Sequence, residues 1–146
     1  MTRQPDPVVD TDLDRDVCKL VHQFTHRLDV HVRRVAEQLE LTPSQVIALR
    51  ELSEPITARE LAARMACEPS NATFVLDRLE QQTLIRREPH PTDRRAKQIV
   101  LTPAGQRRRD DALELLGANS PLISLTESQQ QALRDLLLTM AADTKG

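Results

Sequence analysis

The chain is 146 residues long, 39% hydrophobic and 29% charged, with a formal net charge of −2, which fits one compact domain able to bury a core. Two Phe, no Tyr and no Trp leave that core to Leu, Val, Ile and Ala, and the slight negative charge excludes a general attraction to polyanions, so any nucleic-acid contact must rest on a local basic patch. No apolar run approaches a membrane span, the N-terminal MTRQPDPVVDTDLDRD is acidic and proline-bearing rather than secretory, and the two distant cysteines argue against a disulfide framework, so a cytoplasmic protein is expected.

From about Asp12 to Leu39, the residues Leu13, Val17, Leu20, Val21, Phe24, Leu28, Val32, Val35 and Leu39 recur at steps of three and four. This predicts a helix with one apolar face running roughly 40 Å. A small domain has little use for that length in its own core, so pairing with a second copy is expected. A single bundle folded on itself is the competing reading. His22, His26 and Asp29 share the polar side at a spacing that can hold a metal, but zinc sites want three or four converging ligands, and an exposed polar face is the simpler expectation. His31 projects from the apolar stripe and is read as a core or interface histidine, with a ligand-binding or pH-sensitive role as the alternative. Cys18 lies on the flank of the stripe with Arg15 and Lys19 nearby, a small helix residue unless it serves as a reactive thiol.

Leu41-Thr42-Pro43-Ser44-Gln45-Val46 carries a helix start: Thr42 as cap, Pro43 at the first position, Gln45 completing a capping box, Leu41 stapling Val46. The helix runs to about Leu52 with Val46, Leu49 and Leu52 inward, and Ser53-Glu54-Pro55 breaks it. Thr57 with Glu60, and Ile56 with Leu61, repeat the same signal for a helix from about Ala58. Ala66-Cys67-Glu68 then turns the chain, with Cys67 as packing, and Pro69 opens another helix. On it Ala72, Val75, Leu76 and Leu79 form the buried stripe. Ser70, Asn71, Thr73, Phe74, Asp77 and Gln81 face outward, with Arg78 at the edge. Two short helices around a tight turn form a helix-turn-helix, whose second helix offers short polar side chains to base edges in a DNA major groove. Phe74, facing away from the stripe, needs a partner, and a thymine methyl or a protein surface would serve. An ordinary solvent-facing helix is the plain alternative.

Leu84–Glu88 and Lys97–Leu101 are short strand-like runs joined by the turn residues Pro89-His90-Pro91-Thr92-Asp93. Arg86, Arg87, Arg94, Arg95 and Lys97 outnumber Glu88 and Asp93 there by three, an electrostatic footprint suited to phosphates and, at the tip, to a narrow minor groove. Thr102-Pro103 starts a further helix that Gly117 can end. Its Arg107-Arg108-Arg109 cluster is followed at once by Asp110, Asp111 and Glu114, which predicts an ion-paired helix surface, with one arginine reaching DNA backbone as the alternative. Ala118-Asn119-Ser120-Pro121 is the last linker. Thr126 with Gln129 caps a final helix to Met140, with Leu133, Leu136, Leu137 and Met140 on its buried side.

The run Asp93-Arg94-Arg95, then Leu101-Thr102-Pro103-Ala104-Gly105, resembles the DxR…LTxxG signature of the MarR family of bacterial winged-helix transcription regulators. LAARMACEPSNATFVLDRLEQQTLIRRE ahead of it looks like that family's recognition helix and first wing strand. The resemblance implies a mainly α fold with a small β-hairpin wing, a single domain over 1–146. Within it, 42–105 form a winged helix-turn-helix, and 10–40 with 119–142 form N- and C-terminal dimerisation helices. It also implies a short third strand at Pro55-Ile56, Arg95 as the residue entering the minor groove, Asp93 holding it, and Arg94 on the backbone or in the same groove. Ala66 and Thr83 stand where the family often has glycine, so a positive φ there would be strained. Glu68 replaces the usual serine-like cap. Phe74 replaces a basic or polar residue.

The expected function is that of a homodimeric, ligand-responsive repressor on a palindromic double-stranded DNA operator, neither an enzyme nor cofactor-dependent. Its DNA contacts are expected from Ser70, Asn71, Thr73, Phe74, Asp77, Arg78, Arg86, Arg94, Arg95 and Lys97. Similarity to the family implies a small amphipathic or anionic ligand between the dimerisation helices and the winged region, with His31, Val35 and Leu49 as candidates. Two other readings stand beside this one. Some relatives sense peroxide through a first-helix cysteine aided by tyrosine hydroxyls, which would make Cys18 a redox switch, although this chain has no tyrosine. A winged-helix interaction module without DNA binding would use Phe74 as its anchor.

Overall fold

The structure, a computed structural model, describes residues 10–143. The acidic segment before position 10, part of the reading against a secretory signal, lies outside the described residues. Helix α1, Thr11–Leu39, begins at Asp10, whose Oδ1 accepts from the Asp12 and Leu13 amides at 3.1 Å each. It ends where Glu40 turns left-handed at φ 55° and the Leu41 amide donates back to the Ala36 carbonyl. Helix α2, Pro43–Glu51, has both halves of its capping box: Gln45 N–H donates to Thr42 Oγ1 and Thr42 N–H to Gln45 Oε1. Gln45 is also the one buried polar residue among those described, and its amide nitrogen donates to Gln82 Oε1 at 3.0 Å.

Strand β1, Ile56–Thr57, leads into helix α3, Ala58–Arg64, where Thr57 Oγ1 accepts from the Glu60 amide. Arg64 reaches back to the Glu51 carbonyl and to Glu54, whose carboxylate raises the guanidinium above its usual pKa. Helix α4, Pro69–Gln81, starts at Glu68 without a side-chain cap. Strands β2, Ile85–Pro89, and β3, Lys97–Leu101, form the hairpin, followed by helices α5, Pro103–Ala118, and α6, Glu127–Asp143. The sheet order is β1-β3-β2, antiparallel throughout, with Ile99 opposite both Ile56 and Arg87. The short third strand thus forms at Ile56–Thr57, one residue later than Pro55-Ile56. Both positions where family likeness suggested glycine do take positive φ, 53° at Ala66 and 60° at Thr83, so each L residue there is strained.

One core, centred on Leu49, Leu61, Leu76, Leu79, Ile85 and Ile99, lies inside the winged region. A second joins Val35, Ala36 and Leu39 of α1 to Val46 and Ala112. Only the last turns of α1 take part. Upstream, Leu13 and Leu20 are more than 60% exposed, and on α6 so are Leu136 and Leu138. The single self-contained bundle is therefore not what forms, because within one chain neither apolar face is covered. The inward side expected of Leu136, Leu137 and Met140 is open for the same reason.

The arginines of α5 also differ from expectation. Rather than pairing along their own helix, Arg108 donates to the Leu39 carbonyl at the end of α1, and Arg109 to the Leu49 and Arg50 carbonyls at the end of α2. The Leu39 and Arg50 carbonyls are among those a helix C-terminus leaves without an internal partner, while the Leu49 carbonyl also accepts from the Leu52 amide at 3.3 Å. Gly117 does not stop α5, which continues to Ala118.

At the start of α5, Thr102 Oγ1 accepts from the Gly105 amide and donates to the Thr83 carbonyl at 2.7 Å, while Thr102 N–H donates to the Leu84 carbonyl. The LTxxG run thus stitches the wing's base to the strained bend after α4. Gly105 sits so close that an added Cβ would lie 1.9 Å from the Leu84 oxygen. Gly105→Ala is expected to cost about 3 kcal/mol of stability, measurable as a lowered urea midpoint with an unchanged slope.

Candidate nucleic-acid interface

Helix α4 presents the stripes its periodicity predicts. Ala72, Val75, Leu76 and Leu79 are buried, while Ser70, Asn71, Thr73, Phe74, Asp77, Arg78 and Gln81 are exposed. Phe74 is 62% exposed, with the Arg78 guanidinium 5.8 Å from its ring centroid. Thr73 turns its hydroxyl back onto the Pro69 carbonyl, an i−4 bond that occupies the donor. Asp77 is engaged as well. Arg87 of β2 forks across the helix, Nη2 to Asp77 Oδ1 at 2.8 Å and Nη1 to Glu80 Oε1 at 2.7 Å. That clamp ties the wing to α4, and it removes Arg87 from the free positive charge counted along the hairpin.

At the wing, Arg86 lies 3.5 Å from Glu88, a loose surface pair. Asp93 does hold Arg95, but through the backbone: Asp93 Oδ1 accepts from the Arg95 amide at 3.0 Å and leaves the guanidinium free. His90 was not anticipated as a structural residue. Its Nδ1 accepts from the Thr92 and Asp93 amides at 3.2 and 3.0 Å and so closes the tip. Among the described residues, the side chains of Arg94, Arg95 and Lys97 have no ion-pair or hydrogen-bond partner, so the unspent charge sits at the tip and the start of β3.

The remaining candidates separate by burial. Leu49 is fully buried and Val35 nearly so, both packed in the core, and neither lines the hollow beside the α5–α6 linker. His31 does. Its Nε2 donates to the Leu116 carbonyl in the last turn of α5 at 2.8 Å, and it lines a hollow of about 370 Å³ between α1 and the α5–α6 linker. His26, Arg27 and Arg34 share that hollow with Asn119 and Ser120. The spacing of Arg27, His31 and Arg34 was visible in the sequence as a one-face pattern, but only the fold shows what it faces. Cys18 is exposed, with Asp14 Oδ2 as its contact at 4.0 Å rather than Arg15 or Lys19. His22, His26 and Asp29 form no group that could hold a metal ion, and among the described residues no helix is long and apolar enough to cross a membrane.

A model of the MarR family matches residues 41–97, from the entry to α2 to the start of β3. The chain is 35% identical to the HTH-type transcriptional repressor MdtR of Bacillus subtilis (strain 168) over 79 residues, 53% of this chain and 51% of that one. It is 25% identical to the organic hydroperoxide resistance transcriptional regulator of the same organism over 130 residues, 88% of each. The chain spans about half the length of the curated relatives that it matches at 35% identity. Among solved structures, CouR from Rhodococcus jostii RHA1 bound to p-coumaroyl-CoA superimposes with a TM-score of 0.79 at 28% identity, covering 88% of this chain and 94% of that one.

The Arg87 clamp can be tested without any partner. Arg87→Ala should lower stability by about 1 kcal/mol at low salt, and the deficit should shrink in molar salt as the surface carboxylates are screened. Paired urea titrations at the two salt concentrations measure it.

Proposed function

We propose that this chain, which belongs to the MarR family, is a ligand-responsive, sequence-specific DNA-binding transcriptional repressor that grips a palindromic operator as a homodimer. One observation carries the reading: the exposed face of α4 is clamped by Arg87 to a wing whose tip arginine side chains have no partner among the described residues. A helix in the major groove with a basic finger in the adjacent minor groove uses both. Since the molecule as a whole is negative, binding depends on these few cations and should be steeply salt-dependent.

The uncovered faces of α1 and α6 support the homodimer, whose two-fold axis would set two recognition helices about one DNA turn, ~34 Å, apart. The ligand site is assigned to the hollow around His31. Its two arginines and two histidines suit an anionic group, and the similar CouR was crystallised with an acyl-CoA thioester. A ligand there would act on the joint between α1 and α5 that the His31–Leu116 bond makes. It needs only a preference for the spacing that fits DNA less well. Redox switching at Cys18 has the hydroperoxide regulator's likeness in its favour. Against it stand a carboxylate as the thiol's contact and the absence of any tyrosine.

Binding of dye-labelled duplex, followed by anisotropy across a salt series, tests the reading. Arg95→Ala should weaken it and flatten the slope of log K against log salt by about 1. A chain that binds no duplex even in dilute buffer would instead be an interaction module. Leu20→Asp combined with Leu137→Asp should sediment as a monomer and lose affinity for the palindrome, whereas a wild-type chain already monomeric at working concentration would refute the dimer.

A further inference from the structure

The outward residues of α4 differ in what they have left to offer a partner. Thr73 has committed its hydroxyl proton, and Asp77 and Glu80 are held by Arg87. What remains is Ser70, Asn71, Phe74, Arg78 and Gln81, and of these Asn71, Phe74 and Arg78 are spaced by three and four and therefore lie in one line along the helix. With both nearby carboxylates occupied, Arg78 makes no ion pair among the described residues and lies over the Phe74 ring at 5.8 Å. The ring stays 62% exposed, and the groove beside it, about 210 Å³ between α4 and the first turn of α2, is open. A guanidinium parked on an aromatic face is planar and already ordered, so it loses less rotamer freedom when it forms a forked hydrogen bond.

We propose that Phe74 and Arg78 act as a pair that sets operator specificity: Phe74 packs on a thymine 5-methyl group, and Arg78 donates to O6 and N7 of a guanine within two base steps of it. This rests on the DNA-binding reading above. The chemistry selects these bases. In the major groove only thymine offers a methyl, and a phenyl ring can take nothing else from a base edge without stranding a polar group. Guanine alone presents two adjacent acceptors that match the arginine fork. Asp77, which would favour cytosine, is withdrawn from competition by Arg87.

The test uses the full chain to select a duplex from a randomised pool. Single thymines are then replaced by uracil, removing only the methyl, and single guanines by 7-deazaguanine, removing only N7. One uracil in each half-site removes two methyls from the dimer complex and is expected to weaken wild-type binding about fifteenfold, about fourfold for each buried methyl. Phe74→Ala, whose thermal melt should match wild type because the ring is exposed, should be indifferent to that uracil. Arg78→Ala should likewise be indifferent to the neighbouring 7-deazaguanine. A selected duplex that binds tightly yet ignores every uracil, or whose uracil sensitivity survives Phe74→Ala, overturns the pair while leaving DNA binding intact. A pool that yields no bound duplex in dilute buffer overturns both and directs the ring to a protein surface.

Discussion

Helices end in carbonyls that nothing in the helix can satisfy, and in this molecule α5 answers that need for its neighbours. Arg108 completes the end of α1 and Arg109 the end of α2, while His31 of α1 returns a bond to the last turn of α5. Charged donors to carbonyls are stronger than neutral ones and carry direction. The long, largely uncovered α1 is therefore not simply laid on the winged core but hinged to it at defined atoms, with the second core of Val35, Leu39, Val46 and Ala112 as the greasy bearing beneath. A hollow lined by two arginines and two histidines opens beside that joint.

The winged region is held by equally local devices. The strained bends at Ala66 and Thr83 end α3 and α4 tightly enough to bring the next element back onto the core. Thr102 then bonds to the Thr83 carbonyl and to the Leu84 carbonyl, so the second bend is fixed from outside as well as within. Arg87 ties the hairpin to α4 with two carboxylates. The consequence for charge is a sorting: cations near the core are neutralised by bonds that hold the fold, and those at the wing tip are left over.

Elements whose signals are local were legible in the sequence. Thr42 with Gln45 and Thr126 with Gln129 form the boxes their spacing predicts, and the stripe of Ala72, Val75, Leu76 and Leu79 is buried as a period of 3.6 residues requires. Interactions between distant segments were not. Arg108 and Arg109 lie beside acidic residues that invite an ion-paired reading, yet their partners are carbonyls some sixty or more positions away. Asp77 looked free for a base until Arg87, ten positions on, took it. Val35 and Leu49 fit an apolar pocket by composition alone, and only packing shows them sealed in the core. Gly117 carries a stop signal, yet the helix continues one residue past it to Ala118.

Apolar surfaces slide over one another at little cost, because the force between them has no preferred direction. Gln45 is different. Its side chain, itself buried, closes the start of α2 with one end and donates to the exposed Gln82, just past the last turn of α4, with the other. The two helices are thereby indexed to each other like teeth in mesh, and a displacement of α2 turns α4 as a unit instead of dissipating as slippage.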